Sequence, residues 1–149
     1  MIDGVVIAPQ NQISDERGKI MHMMKSTDPH FDKFGEIYFT CAWPNAIKAW
    51  HIHKRMTMNN FCVVGYVKLV LFDMRENSPT KDELMEIFIG EDNRQLVKIP
   101  PGVCNGYKAY GDRLAIMANC ATEVHDKNEI IYIPYNSEKI PYNWDIKHG

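Results

Sequence analysis

Ala49-Trp50-His51-Ile52-His53-Lys54 reaches Gly65 without a gap, and Ile99-Pro100-Pro101-Gly102 follows later in the chain. In an extended strand residues i and i+2 point to the same side. His51 and His53 would then project together into one interior, while Trp50, at opposite strand parity, packs outward into a core or interface. Few arrangements place two groups that titrate near neutral pH so close together. Lys48, Lys54 and Arg55 surround the pair. Cationic groups near a pocket suit an anionic ligand. The other reading of the pair is two half-buried histidines engaged in hydrogen bonds, without chemistry.

Working outward, strand-like runs dominate: 5–8, 19–24, 36–42, 46–53, 60–72, 84–89, 95–99, 104–110, 114–121 and 130–133. Turn signals punctuate them, among them Asp15-Glu16-Arg17-Gly18, Trp43-Pro44-Asn45, Asn77-Ser78-Pro79-Thr80 and Gly90-Glu91-Asp92-Asn93. Many short strands at near-regular spacing predict an all-β sandwich or barrel. Helical patterning is weak, and 79–86 reads either as a helical turn or as the lead into a strand. Val63, Val64, Val67, Leu69 and Leu71 read as filling for the interior. The aromatic, proline-bearing end (Tyr135, Pro141, Tyr142, Trp144) is expected to pack along the body.

The chain has 149 residues, which fits one domain over 1–149. Hydrophobic residues make up 45% and charged residues 24%, the balance of an ordinary globular protein. The net charge of −2 provides no basic field for nucleic acid. No run approaches the ~20 apolar residues of a membrane helix. Met1-Ile2-Asp3-Gly4 does not open a signal peptide. Cys41, Cys62, Cys104 and Cys120 form no CxxC pair and read as reduced thiols in a cytoplasmic protein.

The order His-x-His, Gly, Pro-x-Gly resembles the two motifs of the cupin superfamily, which implies a jelly-roll β-barrel. In metal-binding cupins the pattern also carries a Glu and a third His. Here those positions hold Met58 and Asn105, poor ligands for a borderline divalent metal. The pattern therefore implies the barrel without a metal or other cofactor.

The resemblance narrows to the nucleotide-sugar cupins, in particular the dTDP-4-dehydrorhamnose 3,5-epimerase family. Asp15-Glu16-Arg17-Gly18, the run from Gly65 to Phe72-Asp73-Met74-Arg75, Ser78-Pro79-Thr80, Gln95 through Gly102 and Asn105-Gly106-Tyr107 carry it. His51 matches the histidine that takes the proton next to the sugar ketone. The tyrosine that donates a proton on the opposite side is replaced by Asn119. A lysine associated with the enolate aligns near Met58, and a second histidine aligns with Asn105. The central strand is also similar to the dTDP-sugar 3,4-ketoisomerases, where Ile37-Tyr38-Phe39 resembles the strand of an assisting tyrosine.

Both families act on a nucleotide-linked 4-keto-6-deoxy sugar. The ketone acidifies its neighbouring C–H, a neutral imidazole removes that proton, and the enolate oxygen needs a donor. The resemblance implies His51 as base, with His53 as its partner or as a second shuttle. Tyr38 is the candidate donor, or an ordinary strand tyrosine. Asn105 and Asn119 either donate amide N–H groups to the substrate or act as core amides. Arg17 matches an arginine that in the family reaches the nucleotide of a neighbouring subunit, and its alternative is a solvated turn residue. Lys48 stands where the family has an arginine, and Lys for Arg loses the bidentate phosphate fork. The expected protein is a metal-independent 3- and/or 5-epimerase that binds a nucleotide-diphosphate sugar as a homodimer. A 3,4-ketoisomerase, a non-catalytic nucleotide-sugar-binding cupin and a metal cupin with further ligands are the alternatives.

Overall fold

A computed structural model describes residues 1–148. Twelve strands form in chain order: β1 (Val6–Pro9), β2 (Gln12–Asp15), β3 (Gly18–Met21), β4 (Glu36–Ala42), β5 (Ile47–His53), β6 (Met58–Val64), β7 (Tyr66–Asp73), β8 (Leu84–Gly90), β9 (Gln95–Ile99), β10 (Val103–Tyr110), β11 (Ala115–Ala121) and β12 (Ile130–Tyr132). Two five-stranded sheets result, ordered β1-β9-β6-β11-β4 and β12-β5-β10-β7-β8, with β2-β3 as a separate hairpin. Every pairing is antiparallel. The sheets stay separately hydrogen-bonded and do not close into a continuous barrel, so the all-β expectation holds as a jelly-roll of two facing sheets. No described residue is helical, so no helix is long and apolar enough to cross a membrane.

Period-two alternation explains how the sheets meet. On β7, Val67, Leu69 and Leu71 join Ile87 and Ile89 of β8 in one core with Met58, Cys62, Val97, Ile99 and Met117 of the opposite sheet. The neighbouring Val70 and Phe72 take the outer face, where Trp50, Ile140 and Trp144 cover them. The C-terminal segment thus packs across the back of the second sheet. Trp50 meets Trp144 at 4.9 Å between ring centroids, and its Nε1 donates to the Tyr135 carbonyl at 3.1 Å.

Two expectations are corrected. The run 60–72 is two strands, because Gly65 adopts φ +74° and carries the chain from one sheet to the other. A Cβ there would lie 2.6 Å from the Leu114 carbonyl oxygen, so glycine is required. Val64, expected inside, ends β6 at the surface. The segment 79–86 runs through turns into β8 without a helix.

The turn between β7 and β8 is fixed by one buried carboxylate. Asp73 accepts hydrogen bonds from Arg75 Nε and Nη2, each at 2.8 Å, from Ser78 Oγ at 2.5 Å and from Thr80 Oγ1 at 2.7 Å. Burial opposes its ionisation, but these donors outweigh it and hold the carboxyl well below the usual range.

Candidate active site

Between the facing sheets lies a cavity of about 900 Å³. Its walls include His51, His53 and Lys48 from β5, Asn105 and Tyr107 from β10, Tyr38 and Thr40 from β4, and Asn119 from β11. His51 and His53 share a face as the alternation predicts, with ring centroids 5.4 Å apart and ring planes at 86°. Lys48 is three residues from His51, and strict alternation would send it to the other side. A bulge restores it: β10 pairs Asn105 with His51 but Tyr107 with Lys48, so two steps on β10 match three on β5. Gly106 stands opposite the bulge, where a Cβ would come within 2.3 Å of Ala49 Cβ.

His51 is half-buried, and its imidazole pKa is pushed down to about 4. Burial is the main cause, with smaller contributions from His53 and Lys48. At neutral pH it is therefore an uncharged imidazole with a free lone pair to accept a proton.

His53 is buried and bonded through Nδ1 to the carboxylate of Glu129, which is itself fully buried. The second oxygen of Glu129 accepts the backbone N–H groups of Lys54 at 2.9 Å and Arg55 at 3.0 Å. Burial alone would raise the Glu129 pKa, yet His53 and these two donors bring it below its ordinary value. Glu129 sits immediately before β12, whose Ile130 pairs with His53.

Tyr38 faces this group from the opposite sheet. It is the register partner of Asn119, whose Nδ2 donates to the Tyr38 hydroxyl oxygen at 2.8 Å. Asn119 Oδ1 accepts the Asn59 backbone N–H at 2.9 Å. The amide is thus locked at both ends, and the Tyr38 O–H stays available as a donor. Burial raises the Tyr38 pKa, while the Asn119 bond pulls slightly the other way, so the phenol keeps its proton at neutral pH. Lys48 Nζ bridges the sheets, donating to Thr40 Oγ1 at 2.7 Å and to the Cys41 carbonyl at 3.1 Å. Thr40 also bonds the Tyr107 hydroxyl at 2.9 Å, and burial pushes that phenol up to about 12.

The structure therefore gathers His51, His53, Tyr38, Lys48, Asn105 and Asn119 around one cavity. The Asn105 amide donates one N–H to the His51 carbonyl at 3.1 Å and the Asn119 amide donates one to the Tyr38 hydroxyl at 2.8 Å, and each Nδ2 carries a second N–H. Arg17 stands apart on the exposed turn between β2 and β3, paired with Asp15 at 2.6 Å. Glu129, Thr40 and Tyr107 carry no signal in the sequence that marks them as site residues. Glu129 lies in the polar run Asp126-Lys127-Asn128-Glu129. Only the pairing of β12 with β5 brings it under His53. Among the described residues no three His, Cys, Asp or Glu side chains converge on one point.

A model of the dTDP-4-dehydrorhamnose 3,5-epimerase family matches residues 1–148. The spore coat polysaccharide biosynthesis protein SpsL of Bacillus subtilis is 33% identical over 149 residues, 99% of each chain. The probable low-salt glycan biosynthesis epimerase Agl13 of Haloferax volcanii is 33% identical over 132 residues, 87% of this chain and 81% of its own. The crystal structure of a dTDP sugar isomerase from Desulfovibrio desulfuricans G20 superposes with a TM-score of 0.94 at 38% identity, covering 96% of this chain and 92% of that one. This chain belongs to the dTDP-4-dehydrorhamnose 3,5-epimerase family and is an enzyme of the isomerase class.

Proposed function

We propose that this member of the epimerase family inverts a carbon next to the ketone of a nucleotide-linked 4-keto-6-deoxy sugar, with protein groups alone. The observation that carries the reading is the placement of His51 and Tyr38. An uncharged imidazole on one sheet faces a protonated phenol on the other, across a cavity of about 900 Å³. Inversion needs this arrangement, because the proton leaves one face of the sugar ring and returns to the other. His51 takes the proton of the C–H beside the ketone, and the C–H electron pair becomes the enolate. Tyr38 then delivers its O–H proton to the opposite face of the same carbon. His51 loses its proton to water and Tyr38 regains one, which resets the site. Asn119 keeps the Tyr38 ring in place, and Lys48 supplies positive charge for the diphosphate.

The working unit we propose is a cytoplasmic homodimer. Four free thiols suit a reducing compartment. Ile37 and Phe39 leave apolar surface on the outer face of β4, 51% and 62% exposed. Arg17, remote from its own cavity, suits contact with the nucleotide held by a second copy.

A ketoisomerase reading is favoured by one feature, the two imidazoles on the same sheet face, which could pass a proton between adjacent carbons. Incubation with dTDP-4-keto-6-deoxyglucose and NMR of the product separates the readings. An inverted C3 or C5 centre with the ketone still at C4 is expected. A ketone at C3 would establish ketoisomerisation. Line broadening by bound sugar without a product would make the pocket a receptor.

A further inference from the structure

The proposed route leaves one charge without a partner. As the C–H proton departs, negative charge builds on the ketone oxygen, and a donor placed there is worth about 10²–10³-fold in rate. The apolar Met58 offers none, and the Asn105 amide is anchored by one N–H to the carbonyl of His51, the base itself. Tyr38 is on the sheet opposite the base and has its own proton to deliver.

His53 has the free valence. Its Nδ1 is taken by Glu129, and its Nε2 makes no hydrogen bond among the described residues. The ring lines the cavity beside His51, on the same sheet, at 5.4 Å. The carbon that loses the proton and the ketone oxygen are two bonds apart. A substrate reaching His51 with the first can therefore reach His53 with the second. Behind the ring, the only acid in contact among the described residues is Glu129, fully buried, with its second oxygen saturated by two backbone N–H groups. Its geometry leaves one oxygen for the imidazole. A buried carboxylate is costly unless a cation pairs with it.

We infer that His53, oriented and held as an imidazolium by Glu129, donates its Nε2–H to the ketone oxygen and stabilises the enolate. This rests on the proposed proton abstraction by His51. The two adjacent imidazoles then have opposite tasks: the neutral one accepts a proton, while the paired one keeps its own and offers a hydrogen bond. Charge on His53 also disfavours charge on His51, which keeps the base free. No atom is transferred to His53. The C–H pair moves into the C=C bond and the carbonyl pair onto oxygen, and both revert when Tyr38 reprotonates the carbon. Glu129 is a positioning residue, since it acts only through His53.

The test combines two readouts on the full chain. In protein carrying 15N-labelled histidine at pH 7, His53 is expected to show both nitrogens protonated and His51 only one. Glu129→Gln should return His53 to a neutral ring, and Glu129→Asp should keep it charged. With dTDP-4-keto-6-deoxyglucose, E129Q should lower kcat by about 10²–10³-fold while KM changes little, with partial recovery in E129D. His53→Asn keeps an N–H for Glu129 and removes Nε2. It should show the same loss of kcat, and it carries the kinetic test if E129Q does not fold. A neutral His53 in the wild type, or a folded H53N with wild-type kcat, would overturn the inference. If the wild type turns over no keto sugar, the functional reading fails instead, and the imidazole spectrum still decides whether the ion pair exists.

Discussion

At the scale of single residues, the site works by giving similar groups different surroundings. His51 is half-buried and uncharged, with its pKa pushed down to about 4, while His53 is bonded to a carboxylate. One consequence is kinetic. A free histidine would lose its basicity below about pH 6.5. Here kcat/KM should stay level through that range and fall only as the pH approaches 4, read from rates between pH 3.5 and 8. A loss centred near 6.5 would show that His51 is not the base. A second consequence separates the two proton steps. Tyr38→Phe removes the hydroxyl proposed to reprotonate the carbon but leaves His51 intact. Inversion should fall by about 10²–10⁴-fold, while exchange of the same C–H with solvent persists. His51→Ala should abolish both.

At the scale of elements, the bulge in β5 matters most. It lets Lys48 and His51 serve one cavity although their spacing is odd, and Gly106 makes room for it. Gly106→Ala would press a methyl to within 2.3 Å of Ala49 Cβ and 3.0 Å of the Trp50 ring. A stability loss of about 1–3 kcal/mol is expected in denaturant melts, together with reduced kcat. The bulge also marks the limit of what a sequence discloses. Alternation along β5 is local, so the shared face of His51 and His53 is legible in the amino-acid order alone. The 60–72 run is continuous in hydrophobicity, and only the positive φ of Gly65 divides it. Glu129 has no local signal, because a three-residue strand paired far across the chain delivers it. Asn119 is legible as a substitution for the family tyrosine. Its role in bracing Tyr38 depends on the β4–β11 register.

For the whole molecule, the two facing sheets hold His51 and Tyr38 apart on opposite walls, and the buried ionisable groups tie stability to pH. His51 has its folded pKa below the unfolded value, so the unfolded chain takes up the proton first. Stability should drop as pH falls from about 6.5 to 4, by at most about 3 kcal/mol. Asp73 and Glu129 are also depressed, but they are carboxylates. Their contribution is present above the unfolded values of 3.8 and 4.5 and is lost as the pH falls further. Thermal melts should therefore show two acid windows, and His51→Asn should remove the upper one alone. The account stands or falls on proton exchange across the cavity. The direct measurement is NMR of dTDP-4-keto-6-deoxyglucose with the purified protein in deuterated water. Deuterium appearing at the inverted carbon, and lost with His51→Ala, is the predicted result. Inversion without label, or bound sugar whose ring protons never exchange, would contradict it.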